Sequence, residues 1–296
     1  MFRNALILGG LGQMGMLLSQ SLRDSGVSIT LADARPRNQN NTDGMAFLQS
    51  DVETFEPAFR AAIEASDCVC VCLPEKITLC IAERLVEIMP EGSLWMDTLS
   101  VKSGIMHALE RCAGRVQLLS INPMFAPAMG WTGGAVAVIE VSAGPKSDFF
   151  KQLLGTWGAH LEAVSAEEHD RLTAAIQVAT HAAVLSFGAT LLNLDFDLEG
   201  ALRLSSPPHR LLLTLLHRMT TQSPDVYWDI QAHHPLGSRV RNELMSALER
   251  IHEDAGKKDA SRFVETLSQL RALFETRDEL FTEWAKQAFG LSVPHQ

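Results

Sequence analysis

The chain has 296 residues, 46% of them hydrophobic and 20% charged, as expected of a globular protein with a sizeable core and two domains. Its net charge of −10 argues against nucleic acid or an anionic membrane surface as a partner. No apolar run is expected to reach the length that spans a bilayer. Glycines near the N-terminus favour a first β-strand over a signal peptide, and we therefore predict a cytoplasmic protein.

The first half of the sequence alternates strand and helix patterns. This alternation predicts an α/β fold with a largely parallel, doubly wound sheet of the Rossmann type over residues 1–164. Apolar segments predict strands at Asn4–Leu8, Val27–Ala32, Cys68–Leu73, Ser93–Asp97, Gln117–Ile121 and Ala135–Val141.

Three of the five cysteines alternate in the segment DCVCVCLP and fall on one face of a predicted strand. No histidine or second cysteine pair stands at metal-ligand spacing from Cys68, Cys70 and Cys72. We interpret them as small apolar residues of a buried strand and predict no metal site.

The pattern changes after residue 164. Ser165 with Glu168 three residues later forms a capping box that predicts a helix start, and the helix runs to about Leu192. Nearly everything that follows is helical, with another start at Ser206-Pro207. Residues 165–296 are therefore predicted to form an all-helical domain.

A glycine-rich turn follows the first strand and opens a helix, and Asp33 ends the second strand. This context is the one required for dinucleotide binding, because glycines let the backbone approach a pyrophosphate at a helix N-terminus. Asp33 is expected to hold the ribose hydroxyls and to repel a 2′-phosphate, which favours NAD over NADP despite the nearby Arg35 and Arg37. The predicted cofactor-binding turn consists of Gly10, Leu11, Gly12, Gln13, Met14 and Gly15.

The helical half carries two polar patterns. Thr173, Gln177 and His181 are four residues apart, so they form a stripe that either satisfies a core or lines a cleft. Arg203 and Arg210 flank the segment LSSPPH, and Arg218 follows. Arginines beside serine hydroxyls suit the recognition of carboxylates, although for any single arginine an ordinary surface salt bridge is the better interpretation.

Several segments together resemble the prephenate dehydrogenase family, whose members oxidatively decarboxylate prephenate or arogenate. These segments are GGLGQMG, DTLSVK (97–102), NPMFAP (122–127), the helix from SAEEHD to His181, and LSSPPHR. The resemblance covers nearly the whole chain and implies a small dicarboxylate substrate and a homodimer built on the helical domains.

The resemblance also implies roles for individual residues. Ser100 is expected near the nicotinamide and the C4 substituent of the substrate. His181 is expected to shape the substrate pocket and Arg210 to hold a substrate carboxylate. Arg218, Gln177 and His169 are weaker candidates for the same pocket.

One position departs from the family pattern. The family motif begins with a histidine that takes the C4 hydroxyl proton, whereas this chain has Asn122. Asparagine cannot titrate near neutral pH, and losing a general base costs about 10²–10⁴-fold in rate. A C4 amine donates its lone pair into the ring better than a hydroxyl, so it needs a base less. We therefore favour 4-amino-4-deoxyprephenate, from antibiotic-type metabolism, as the substrate.

Other interpretations stay open. The substrate could be prephenate or arogenate, with His181 or a water molecule assisting the proton transfer. The chain could also bind a nicotinamide cofactor with little catalysis, or be a different reductase of similar outline. His233 and His234 are interpreted as marking a helix boundary before Pro235.

Overall fold

A computed structural model describes residues 1–37, 44–112, 114–257 and 260–289. The chain divides into two compact units. The first comprises Met1–Thr173 and Trp228–Pro235, and the second comprises Ala174–Tyr227 and Leu236–Gln296.

The first unit contains a sheet of eight strands among the described residues. The strands are ordered β3-β2-β1-β4-β5-β6-β7-β8 and are parallel throughout, except that β7 runs antiparallel to β6. They are β1 (Asn4–Leu8), β2 (Ser28–Asp33), β3 (Ala46–Gln49), β4 (Cys68–Val71), β5 (Leu94–Asp97), β6 (Gln117–Pro123), β7 (Ala135–Ser142) and β8 (His160–Ala163).

Helices cover both faces of this sheet, as a doubly wound fold requires. They are α1 (Gln13–Asp24), α2 (Pro57–Glu64), α3 (Glu75–Ile88), α4 (Ser103–Leu109), α5 (Pro145–Thr156) and α6 (Ala166–Thr173).

The core forms one layer on each face of the sheet because successive strand residues point to opposite sides. On β1, Ile7 belongs to one apolar cluster, and Leu6 and Leu8 belong to the other. Cys68 and Cys70 lie in the first cluster with their sulfurs 3.6 Å apart, which confirms them as apolar residues of a buried strand.

The remaining helices follow a π-helical turn over Ala174–Ala179. They are α7 (Thr180–Asn193), α8 (Leu198–Leu204), α9 (Pro207–Thr220), α10 (Pro224–His233), α11 (Gly237–Lys257), α12 (Ala260–Ala272) and α13 (Asp278–Phe289). The predicted helix from Ser165 therefore exists, but one wider turn interrupts its α-helical geometry. Its predicted cap is formed, since the Glu168 N–H donates to Ser165 Oγ over 3.0 Å.

The helical stretch Ala166–Asn193 is long and apolar enough to cross a membrane by length and composition. The expectation that no apolar run reaches this length is therefore wrong. Length and composition do not separate a membrane span from an apolar helix that packs in a protein core or interface.

The outer strands of the sheet differ from the predicted ones. Strands β3 and β8 were not predicted, and β7 is antiparallel. The first compact unit also includes α6 and the segment Trp228–Pro235. Hydrogen bonds account for this extension, because Asp170 accepts the Lys102 N–H and the Thr173 hydroxyl lies 3.2 Å from His234 Nε2.

Candidate functional site

The glycine turn leaves the end of β1 at the middle of the sheet. The Gly9 and Gly10 amides both donate to the Ala32 carbonyl, which ties the turn to β2. A Cβ atom at Gly15 would lie 2.4 Å from the Gly9 carbonyl oxygen, so only glycine fits there. The turn places its backbone at the carboxyl end of the parallel strands, next to the point where strand order reverses between β1 and β4.

The N-terminus of α1 has the properties of an anion site. Its N-cap, Gly12, makes no side-chain capping bond, and the first turn holds no acidic residue. The first amides of a helix point outward and carry partial positive charge. The residues present therefore fit the pyrophosphate of a dinucleotide.

Asp33 ends β2 beside this turn, as predicted. Its Oδ2 atom accepts the Leu11 N–H over 3.0 Å, and the Arg35 guanidinium donates to both carboxylate oxygens over 2.9 Å. Burial alone would raise the pKa of Asp33, but the hydrogen bonds from Arg35 and Leu11 lower it overall. Asp33 is thus an ionised acceptor, with the exposed Arg35 beside it.

A second polar cluster lies where β5 and β6 end. The Lys102 ammonium is fully buried and donates to Ser120 Oγ and to the Ile121 carbonyl, each over 2.8 Å. It also lies 3.3 Å from Asp97 Oδ1. Burial lowers the pKa of Lys102, and the Asp97 carboxylate opposes that shift. The cluster fixes the loop that carries Ser100, which is partly exposed between β5 and α4.

Asn122 stands two residues beyond Ser120 on β6 and is only 2% exposed. Its Nδ2 atom lies 3.0 Å from Nε2 of His169, and Nδ1 of His169 lies 2.8 Å from Asp170 Oδ1. Asp170 also accepts the amides of Lys102 and Ser103. Where the family pattern has a histidine, this chain places an asparagine that is hydrogen-bonded to a histidine from α6.

The second compact unit holds the predicted substrate residues Gln177, His181, Arg210 and Arg218. Among the described residues, Gln177 Oε1 and His181 Nδ1 are buried atoms without a hydrogen-bond partner. Burial, and secondly the charge of Arg218, lowers the pKa of His181 to about 4, so this ring is neutral at neutral pH. Arg210 and Arg218 are exposed on α9 and are available to an anion.

A cleft of about 610 Å³ in the first unit is lined by Glu75, Lys76, Leu79, Cys80 and His233. Glu75 is 4% exposed, its amide donates to Asp229 Oδ2, and its Oε2 atom lies 3.5 Å from His233 Nδ1. Burial, then the charges of Asp229 and Asp170, raises the pKa of Glu75 to about 7. His233 ends α10 and His234 follows it, so the predicted helix boundary is confirmed.

Sequence reasoning did not assign Lys102, Asp97 or Asp170 to the site, and it gave His169 little weight. A usable signal was present, because a His-Asp pair stands four and five residues after the cap Ser165 and places two titratable groups near the start of α6. Their partner Asn122 lies 47 residues away in sequence, and spacing alone does not reveal that contact.

A doubly wound sheet, a glycine turn opening a helix and an acidic residue ending β2 together define a dinucleotide-binding fold. Two sequence profiles agree with this class. The profile of the prephenate dehydrogenase nucleotide-binding domain matches residues 18–140, and that of the prephenate dehydrogenase dimerization domain matches residues 165–269. The chain belongs to the prephenate dehydrogenase family.

Individual relatives agree with this assignment. The chain is 38% identical to a 4-amino-4-deoxyprephenate dehydrogenase of Streptomyces pristinaespiralis, over 92% of this chain and 91% of the relative. It is 26% identical to a probable arogenate/prephenate dehydrogenase of Methanocaldococcus jannaschii, over 89% of this chain and 59% of that protein.

A solved structure shares the fold. It is the prephenate dehydrogenase of Aquifex aeolicus in complex with hydroxyphenyl propionate and NAD⁺, with a TM-score of 0.70 and 20% identity. The match covers 94% of this chain and 98% of that one.

Proposed function

We propose that this enzyme oxidatively decarboxylates 4-amino-4-deoxyprephenate to 4-aminophenylpyruvate with NAD. The observation that carries the proposal is Asn122, a buried amide where the family pattern has a general base. The similarity to the Streptomyces 4-amino-4-deoxyprephenate dehydrogenase supports the same substrate.

NAD, when bound, accepts a hydride from C4 of the substrate. The α1 amides and the glycine turn would hold its pyrophosphate, and Asp33 would accept hydrogen bonds from the ribose hydroxyls. The ionised Asp33 would also repel a 2′-phosphate, which favours NAD over NADP.

The chemistry explains why an amide suffices at position 122. As hydride leaves C4, the nitrogen lone pair stabilises the positive charge that develops there. The electron pair of the bond between ring and carboxylate enters the ring, CO₂ leaves, and the ring becomes aromatic. No N–H proton has to be removed from a neutral amine, so Asn122 needs only to accept an N–H hydrogen bond that strengthens as charge develops.

The remaining predicted residues have binding roles in this proposal. Arg210, with Arg218 as a second cation, would hold a carboxylate of the dicarboxylate substrate. The neutral His181 ring and Gln177 would offer their unpartnered polar atoms to the substrate side chain. Ser100 would face the nicotinamide and the C4 substituent.

We also propose a cytoplasmic homodimer that forms through the helical region. The dimerization-domain match supports it, and so do apolar side chains that are exposed on the single chain. The exposed apolar residues on α11 to α13 are Met245, Leu248, Ile251, Phe263, Val264, Leu267, Leu270, Leu280, Phe281 and Trp284.

One observation favours a second candidate, a prephenate or arogenate dehydrogenase. His169 lies one hydrogen bond behind Asn122 and is a titratable group close to where the base would stand. In that case His169, or His181 with a water molecule, would assist the loss of the hydroxyl proton.

The test is steady-state NADH formation by the purified protein with each substrate. We expect kcat/KM to favour the amino substrate by about 100-fold or more, the lower end of what a general base contributes. Asn122→His should shift activity toward prephenate. Equal or faster turnover of prephenate by the unchanged protein would overturn the proposal.

A further inference from the structure

We infer that His169 is a positioning residue that fixes which end of the Asn122 amide faces the substrate. The inference rests on the proposed function and adds to it the residue that makes Asn122 selective for an amine. The inference follows from a series of contacts that runs from Asp170 through His169 to Asn122.

This series of contacts starts at the ionised side chain of Asp170, which can only accept hydrogen bonds. Its oxygens receive the backbone amides of Lys102 and Ser103, the Ser103 hydroxyl, and the ring of His169. Burial alone would raise the pKa of Asp170, but these hydrogen bonds lower it to about 2. The carboxylate is therefore ionised at any pH at which the enzyme would be assayed.

This ionised carboxylate determines the tautomer of His169. Nδ1 must carry the proton, because it lies 2.8 Å from an oxygen that offers no hydrogen. In the neutral ring, Nε2 is then an acceptor. The atom that Nε2 faces at 3.0 Å has to be a donor, and Nδ2 is the only donor group of the Asn122 side chain.

The orientation of the amide follows. Nδ2 is directed to His169, so the carbonyl oxygen Oδ1 is the end left for the substrate. An oxygen acceptor fits the N–H of a C4 amine and leaves the nitrogen lone pair free to enter the ring. A reversed amide would donate to that lone pair and withdraw it from the reaction. A hydroxyl tolerates either orientation better, since oxygen has two lone pairs.

Two substitutions separate positioning from other roles. In His169→Phe the ring shape is retained but the acceptor for Asn122 is lost, so the amide is free to reverse. In His169→Gln, Asp170 takes the side-chain NH₂ group and leaves the side-chain oxygen to accept from Asn122 Nδ2. The matched control is His107→Phe, which replaces an exposed histidine 3.7 Å from Glu110 on another helix.

The experiment measures kcat/KM for both substrates, together with the Kd for NAD as a check of folding. We expect His169→Phe to lower kcat/KM for the amino substrate about tenfold or more, the value of one lost hydrogen bond. The ratio of amino to hydroxyl activity should fall with it, whereas the Kd for NAD should stay unchanged. His169→Gln should restore most of the ratio, and His107→Phe should leave it unaltered.

Three results would overturn the inference. In the first, His169→Phe is folded and binds NAD but keeps the substrate ratio. In the second, His169→Gln loses as much activity as His169→Phe. In the third, both variants lose prephenate turnover most, which would make His169 a base. Failure of the proposed function is distinct, because it shows in the unchanged protein as a missing preference for the amine.

Discussion

The ammonium nitrogen of Lys102 lies 3.3 Å from Asp97 Oδ1, and both side chains are fully buried. Ser120 completes the arrangement, because its hydroxyl donates to the same carboxylate oxygen over 2.7 Å. The pair therefore anchors the ends of β5 and β6, two residues before Asn122. A buried ion pair is costly to form but much more costly to break on one side.

Lys102→Met should destabilise the protein by about 3–5 kcal/mol, because it leaves the Asp97 carboxylate buried without its cation. Urea unfolding followed by circular dichroism measures this change. The control is Lys151→Met, which breaks partly exposed ion pairs with Glu140 and Asp148 and should cost about 0–1 kcal/mol. Equal losses in the two variants would contradict a structural role for the buried pair.

Gly15→Ala should weaken NAD binding about tenfold or more, equivalent to about 1.4 kcal/mol. The added methyl would lie 2.4 Å from the Gly9 carbonyl oxygen, so the turn must move away from the pyrophosphate position. Calorimetric titration with NAD gives the Kd. Gly155→Ala on α5 is the matched control, since its added methyl meets nothing within 4 Å. Unchanged NAD affinity in Gly15→Ala would place the cofactor elsewhere.

Asp33→Ser should raise the kcat/KM for NADP relative to NAD by about tenfold or more, equivalent to about 1.4 kcal/mol. The substitution removes the charge that repels a 2′-phosphate and releases Arg35 to bind one. Asp24→Ser is the control, because Asp24 pairs with Arg23 at the other end of α1. A ratio that does not move would show that Asp33 does not face the ribose.

Glu75→Gln should make the protein more stable than the unchanged protein as pH rises from 4.5 through about 7, and the advantage should be complete above that pH. The pKa of Glu75 is about 7 in the folded state and 4.5 in the unfolded state. Between these pH values the folded protein therefore retains a proton on Glu75 that the unfolded chain releases. Stability is thus lost as pH rises from 4.5 through 7, by about 1–3 kcal/mol. Glutamine cannot titrate and avoids this loss, although His233 and Asp229 still face the position.

Urea unfolding on both sides of this range checks the prediction about Glu75. The two proteins should be similarly stable at low pH, where Glu75 is protonated, and should diverge in favour of the variant at high pH. Glu87→Gln, exposed on the same helix, should show no such divergence. A pH-independent difference would mean that Glu75 acts through packing.

Much of the fold could be predicted because local patterns decide it. The apolar run at residues 4–8, the glycine turn and Asp33 specify β1, α1 and β2 in order. The edge strand β8 was missed because its sequence, HLEA, has only four residues and is mostly exposed, so its polar–apolar alternation is too short to stand out. The antiparallel β7 had a usable signal, since only a short connection separates it from Pro123 and a parallel strand needs a longer crossover.

The site was less accessible to sequence reasoning. Asn122 was recognised from the sequence because it departs from a family motif. The role of its amide group, however, depends on which atoms contact it. Contact with His169 joins a strand to a helix that is remote in sequence, and the direction of that hydrogen bond depends on Asp170. Tertiary contacts of this kind produce no periodic pattern in the sequence.

The most direct test of the central claim is a competition in which the purified enzyme receives NAD and equal amounts of 4-amino-4-deoxyprephenate and prephenate. Mass spectrometry of the two aromatic products gives the ratio of the kcat/KM values in one reaction. We predict an excess of 4-aminophenylpyruvate of about 100-fold, falling sharply in Asn122→His. A mixture dominated by 4-hydroxyphenylpyruvate would contradict the account and would mean that another group supplies the base that Asn122 cannot.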